Sequence, residues 1–150
     1  MIIYVLMLST HVGIDALLAS EAGTSRTVIA AALCQVVALA KPTFAEHLVA
    51  LRSYKHLLRL VDVYYLKDDD ESQRVVFWAC YGLHTLSSYC GPELFVLHAV
   101  GLMVKVLNTP ACQREIFIGE SWVSDKGQGK PSERAEGVIE KIKKMKHSPR

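Results

Sequence analysis

A chain of 150 residues that is 51% apolar and 21% charged buries about 70% of its unfolded surface when compact, which excludes an intrinsically disordered polypeptide and bounds the chain at one domain or less. The formal net charge of +2 is too small to argue for nucleic acid by itself. The charge is uneven, however: residues 121–150 hold eight Lys/Arg against four acids, a net +4, which leaves the remainder at −2.

Residues 1–8, MIIYVLML, resemble the apolar part of a leader. They lack a basic n-region and a small-residue cleavage site, and His11 and Asp15 interrupt the run well short of the ~20 residues a membrane helix needs. They read as a helix covered by a neighbour. In SEAGTS, Gly23 is expected to end one element and Thr24 or Ser25 to cap a helix over Arg26–Ala40, apolar nearly all round and hence buried. Lys41-Pro42-Thr43 is a corner, and Thr43 with Glu46 matches a capping box for a helix Phe44–Arg52. Ser53-Tyr54 leads into a helix His56–Leu66. The acids of Lys67–Glu71 then suit the positive end of a helix dipole, opening a helix Gln73–Ser88. They are consecutive rather than alternating, so they do not make a calcium loop. Gly91 and Pro92 mark a corner, Glu93–Val100 a short helix, Gly101 its C-cap, and Leu102–Leu107 the next helix. Residues 111–119 are expected to start a final helix. A polar, glycine-containing linker follows, then an amphipathic helix Ser132–His147 with Ala135, Val138, Ile139, Ile142 and Met145 near one face.

Sliding the chain by 47 places Ala32 on Ala79, Val36 on Leu83, Leu39 on Leu86, Glu46 on Glu93, Val49 on Val96, Leu57 on Val104 and Leu60 on Leu107. The matched positions are mostly apolar and three or four apart, as buried helix faces require. A period of roughly 40–47 belongs to helical solenoids of the armadillo and HEAT type. Ser72–Leu107 resembles an armadillo repeat, carried by CYGLHTLSS (Cys80–Ser88), PELFVLHAVG (Pro92–Gly101) and LMVKVL (Leu102–Leu107). The upstream copy carries LCQVVALAK, FAEHLVALRSY and HLLRLV but has Tyr54 where the family has glycine; HVGIDALLAS (His11–Ser20) resembles a piece of a still earlier repeat. The resemblance implies an all-α, armadillo-like right-handed superhelix of stacked helices over residues 1–119, about two and a half repeats. A linker at 120–131 and a basic amphipathic tail helix at 132–150 complete the expected organisation.

Chemistry is sought in vain along the chain. Cys34, Cys80, Cys90 and Cys112 form no CxxC pair, the six histidines have no metal-ligand spacing, and no nucleophile elbow, P-loop, GxGxxG or HExxH occurs. No cofactor is implied. The four thiols read as reduced, in an intracellular chain that is not secreted. His84 and His98 flank the central corner and are candidates to meet there. The expected function is a non-catalytic protein–protein interaction scaffold, a subunit of a larger multiprotein assembly with other protein subunits as partners. One alternative is a free adaptor that holds an extended peptide in a concave groove. Trp78, Tyr81 and Thr85 are its candidate contacts, although Trp78 and Tyr81 equally suit core packing between repeats. Import-signal grooves of the family carry Trp and Asn four apart. Here those positions are Tyr81 and Thr85, and upstream Cys34 and Ala38, which argues against that ligand. The other alternative is peripheral association with a membrane or RNA through Lys141, Lys143, Lys144 and Lys146 of the tail, which otherwise is solvated or docks its apolar strip on the body or on a partner.

Overall fold

The computed structural model describes residues 23–118 and 127–147, with side chains from 27 to 118 and from 127 to 145. Among them are six α-helices: α1 (Gly23–Ala38), α2 (Pro42–Ala50), α3 (Ser53–Tyr64), α4 (Asp70–Val96), α5 (Ala99–Leu107) and α6 (Pro131–His147). A short 3₁₀ turn (Pro110–Gln113) and a two-residue antiparallel ribbon, β1 (Ile116–Phe117) with β2 (Gln128–Gly129), stand between α5 and α6. The all-α expectation holds. The expectations for residues 1–22 lie outside the described residues.

Helix α4 is the organiser. It packs against α1, α3 and α6, and α6 packs in turn against α5. Fifteen residues of α4 are buried, among them Val75, Val76, Phe77, Trp78, Leu83 and Leu86. Burial on several sides follows from a sequence apolar most of the way round. At Gly82 a Cβ would lie 3.1 Å from Leu57 Cδ1 and 3.3 Å from Val37 Cγ1, so a glycine lets α1 and α3 close on α4 together. One continuous core runs from Ala30 to Ile142.

The ends of the elements depart from the sequence reading in instructive ways. α1 is already running at Gly23, which places Thr24 and Ser25 inside the helix. The Thr43–Glu46 capping box is absent: α2 begins at Pro42, whose fixed φ and missing N–H suit the first helical position, and Lys41 caps it without a side-chain bond. The expected corner at Gly91 is present one residue earlier, as a kink at Cys90 that divides α4 into two helical segments. Cys90 takes φ −137° and ψ 27°, which makes room for Pro92, while the helix continues to Val96. The turn into α5 falls on His98 (φ 61°) rather than Gly101, just as Arg52 (φ 58°) makes the turn into α3. Both are non-glycine residues in the left-handed region, a conformation that costs about 1 kcal/mol. Gly101 lies inside α5, and a Cβ there would meet nothing within 4 Å. Gly101→Ala is therefore expected to raise stability by about 1 kcal/mol in a chemical melt; a glycine at a left-handed corner would respond with a loss.

The acids before α4 are all engaged. Asp69 caps the helix, accepting from the Ser72 amide at 2.9 Å. Glu71 accepts from Thr27 Oγ1 at 3.3 Å, tying α1 to the start of α4. Arg114 bridges Asp68 and Asp70 at 3.3 and 3.2 Å. Buried Gln73 donates to the carbonyls of Tyr65 and Lys67 at 3.0 and 2.7 Å and so holds the α3–α4 turn. Partial burial raises the Asp69 pKa, but the hydrogen bonds from Ser72 outweigh it and leave the carboxyl below its ordinary value. A depressed folded value means stabilisation that is present above the unfolded pKa and is lost as pH falls through the folded one. Asp69→Ala should cost about 1 kcal/mol at neutral pH, with the deficit shrinking in acid as the wild type protonates. Asp69→Asn should keep the cap and lose that acid dependence.

No final helix follows α5. Glu115-Ile116-Phe117-Ile118 alternates instead, with Ile116 and Ile118 buried and Phe117 exposed, and Arg74 Nε donates to the Phe117 carbonyl at 2.9 Å. Part of the expected linker, residues 120–126, lies outside the described residues; Gln128–Gly129 returns as β2. In α6 the apolar strip is docked: Ala135, Val138, Ile139 and Ile142 are buried on the helix that packs against α4 and α5.

Candidate functional site

The C-terminal half of the first part of α4 runs between α1 and α6, and a cleft of ≈ 450 Å³ opens across the three. One wall is the end of α1 and its turn, Ala38–Ala40 with Pro42. The floor is Tyr81, His84, Thr85, Ser88 and Tyr89 of α4. The other wall is Arg134 and Lys141 of α6. Spaced seven apart, Arg134 and Lys141 fall on one stripe of α6, beside its buried strip.

The candidate residues fare differently. Trp78 is 1% exposed and belongs to the core. Its ring meets Phe77 edge-on at 5.1 Å and 89°, and stacks on Tyr81 at 5.7 Å and 17°. Tyr81 is half-buried and lines the cleft. The Arg134 guanidinium lies over its ring at 3.9 Å, and over Phe77 at 5.3 Å, cation–π contacts that a planar, weakly hydrated cation favours. Thr85 also lines the cleft, but its hydroxyl serves the scaffold. It donates to the Ala38 carbonyl at 2.6 Å and lies 3.2 Å from the Tyr81 carbonyl. Its single proton meets one of them at a time, and the first is an orphan carbonyl at the end of α1.

Lys141 stands apart from Lys143 and Lys144. Lys141 turns inward and donates to the His84 carbonyl at 2.8 Å, and burial lowers its pKa. Lys143 and Lys144 are exposed, and the Lys146 side chain lies outside the described residues. His84 and His98 do not meet: His84 is in this cleft, whereas His98 lines a separate hollow with Leu58 and Gly101 between α3 and α5. The His84 pKa is lowered by burial first and then by Lys141 and Arg134, against an opposing pull from Glu140. The cleft is thus electropositive. Sequence reasoning missed Arg134 as the partner of Tyr81. The signal was there in the 134/141 spacing, yet nothing in the chain says that α6 docks beside α4 with this stripe turned to the floor.

Among the described residues no cysteine lines the cleft. All four cysteines are buried and free. Burial pushes the thiols of Cys34 up to about 12 and of Cys112 up to about 11, the latter against a hydrogen bond from Gln73 that lowers it. Such thiols hold almost no thiolate at neutral pH. Among the described residues no group of three or more His, Cys, Asp or Glu side chains is placed to hold a metal ion. No single helix among them is long and apolar enough to cross a membrane; α4 and α5 would pass only as a pair bent by 102°. Compared with models of protein families, with curated proteins and with solved structures, the chain matches none.

Proposed function

We propose that the chain is a non-catalytic protein–protein interaction scaffold, an armadillo-like right-handed superhelix that works as a subunit of a larger assembly. The observation that carries this reading is the placement of α1, α4 and α6, with α4 packed between the other two and parts of the chain 47 residues apart in contact. Thr85 reaches Ala38 across that separation, and the Cys112 thiol reaches the Tyr65 carbonyl, at 3.3 Å, across the same one. The left-handed corners at Arg52 and His98 are 46 apart and stand before equivalent helices. A chain built this way exposes apolar surface where a further repeat or a partner would sit. Val28 and Ile29 of α1 are exposed, and the α4–α5 corner presents Val96 at 71% with Leu97 beside it. The buried free thiols fit an intracellular setting.

The experiment is site-specific photo-cross-linking in the native cell. A photoreactive residue at Val96 should trap a partner protein, whereas one at exposed Glu46 should not. A full chain that sediments as a monomer, melts cooperatively and cross-links at neither position overturns the scaffold reading. The cleft favours a second reading, a free adaptor for an extended peptide. Membrane association through the tail is disfavoured, because the strip that would enter a bilayer faces α4 and α5 instead.

A further inference from the structure

Three surfaces outside the core invite a ligand: the apolar α4–α5 corner, the hollow between α3 and α5, and the cleft over α4. The corner shows nothing of what covers it. The hollow mixes Arg59 and Lys105 with Asp62 and has no one chemical character. The cleft has one. It is lined by two cations and, among the described residues, by no carboxylate. Among the described residues Arg134 has only aromatic rings for company, and Lys141 spends one of three donors on the His84 carbonyl. Glu140, the acid that acts on His84, is exposed and outside the lining. A partly buried cation without a counter-ion is a charge left for an incoming anion.

We infer that this cleft takes an acidic, extended segment of a partner protein, with its carboxylates on Arg134 and Lys141 and its apolar side chains on the Ala38–Pro42 wall. This rests on the interaction reading above and names the chemistry of the partner. Arg134 supplies the planar fork that pairs with a carboxylate in two bonds, held in place by the Tyr81 ring beneath it. Tyr89, partly exposed on the floor, adds an amphipathic contact. The chain's own acidic run is not the occupant, since Asp68 and Asp70 are bridged by Arg114, Asp69 caps α4 and Glu71 accepts from Thr27. RNA fits poorly. Two cations neutralise too few phosphates for useful affinity, and with Trp78 stacked on Tyr81 and Arg134 over it, the ring keeps no open face for a base.

The test pans a displayed library of random extended peptides on the full chain and measures the selected peptides by fluorescence polarisation. Enrichment of Asp and Glu interleaved with apolar residues is expected, with binding that weakens as salt rises. Arg134→Glu and Lys141→Glu should each weaken it by roughly tenfold or more. Should Arg134→Glu disturb the fold, as a thermal melt would show, Ser88 provides an independent reading, because it lines the cleft and its side chain is exposed. Ser88→Glu should weaken binding and Ser88→Lys should strengthen it. Selected peptides that are neutral or basic, an empty selection, or Ser88 variants that move affinity in the same direction overturn the inference, as does displacement of the peptide by oligouridylate at equal concentration. If the selection is empty while Val96 still cross-links to a protein, the scaffold reading stands and the acidic cleft falls; if both fail, both readings fall.

Discussion

Trp78→Ala is expected to lower the stability of the chain by about 3–5 kcal/mol, the usual cost of emptying a buried aromatic site. For a domain of this size that is a fall in melting temperature of roughly 10–20 °C. The side chain is fully enclosed, stacks on Tyr81 and meets Phe77 edge-on. Trp78→Phe should recover part of the loss by refilling part of the volume. The measurement separates two roles that the sequence leaves open. A groove anchor would give up binding and keep its melting temperature. A core residue gives up its melting temperature first, and any loss of binding follows from the Tyr81 ring, and with it Arg134, moving out of place.

The second large effect concerns α6. Val138→Asp should cost about 3–5 kcal/mol, because it buries a carboxylate with no counter-ion between α6 and the helices it covers. Val138 has no exposed surface, and Ala135, Ile139 and Ile142 are buried on the same helix. Glu136→Lys, on the exposed side of α6, should change stability by less than about 0.5 kcal/mol. Deleting residues 131–150 should accordingly fail to give a well-folded remainder, and urea titrations of the full chain should show one transition shared by α6 and α4. A tail that is merely solvated would show none of this: the deletion would fold, and the Val138 and Glu136 variants would be alike.

Much of this architecture was legible because helix periodicity is a strong local signal. The apolar run of 72–107 and its weaker copy place α1 to α5 within a few residues of where they lie. What failed was punctuation. Gly101 resembles a helix stop, yet the corner is set at His98, which takes the left-handed conformation without being a glycine. Pro92, by contrast, sits where a first-turn proline belongs: Cys90 leaves helical geometry and the second segment of α4 starts just after it. The Thr43–Glu46 box lost to Pro42, one residue earlier. Residues 115–118 alternate, but four residues are too few to outweigh a helical context, so the ribbon was missed. For the cleft, Tyr81 and Thr85 were found through their place on the third helix of a repeat. Arg134 was not, since its meeting with Tyr81 depends on long-range docking across about fifty residues, which no periodicity encodes. Lys141 was found for the wrong neighbourhood: as part of a basic tail, when it faces inward to a carbonyl of α4.

The docking of α6 on α4 also constrains how the protein is made. Lys141 joins His84 across 57 intervening steps of chain, so one flank of α4 stays bare on the ribosome until α6 has been translated and released from the exit tunnel. Through that interval the flank that α6 covers is oily and open, a natural target for a nascent-chain chaperone. A synthesis stalled before residue 131 should therefore retain such a chaperone, and one stalled on an added C-terminal extension that carries residue 147 clear of the tunnel should let it go.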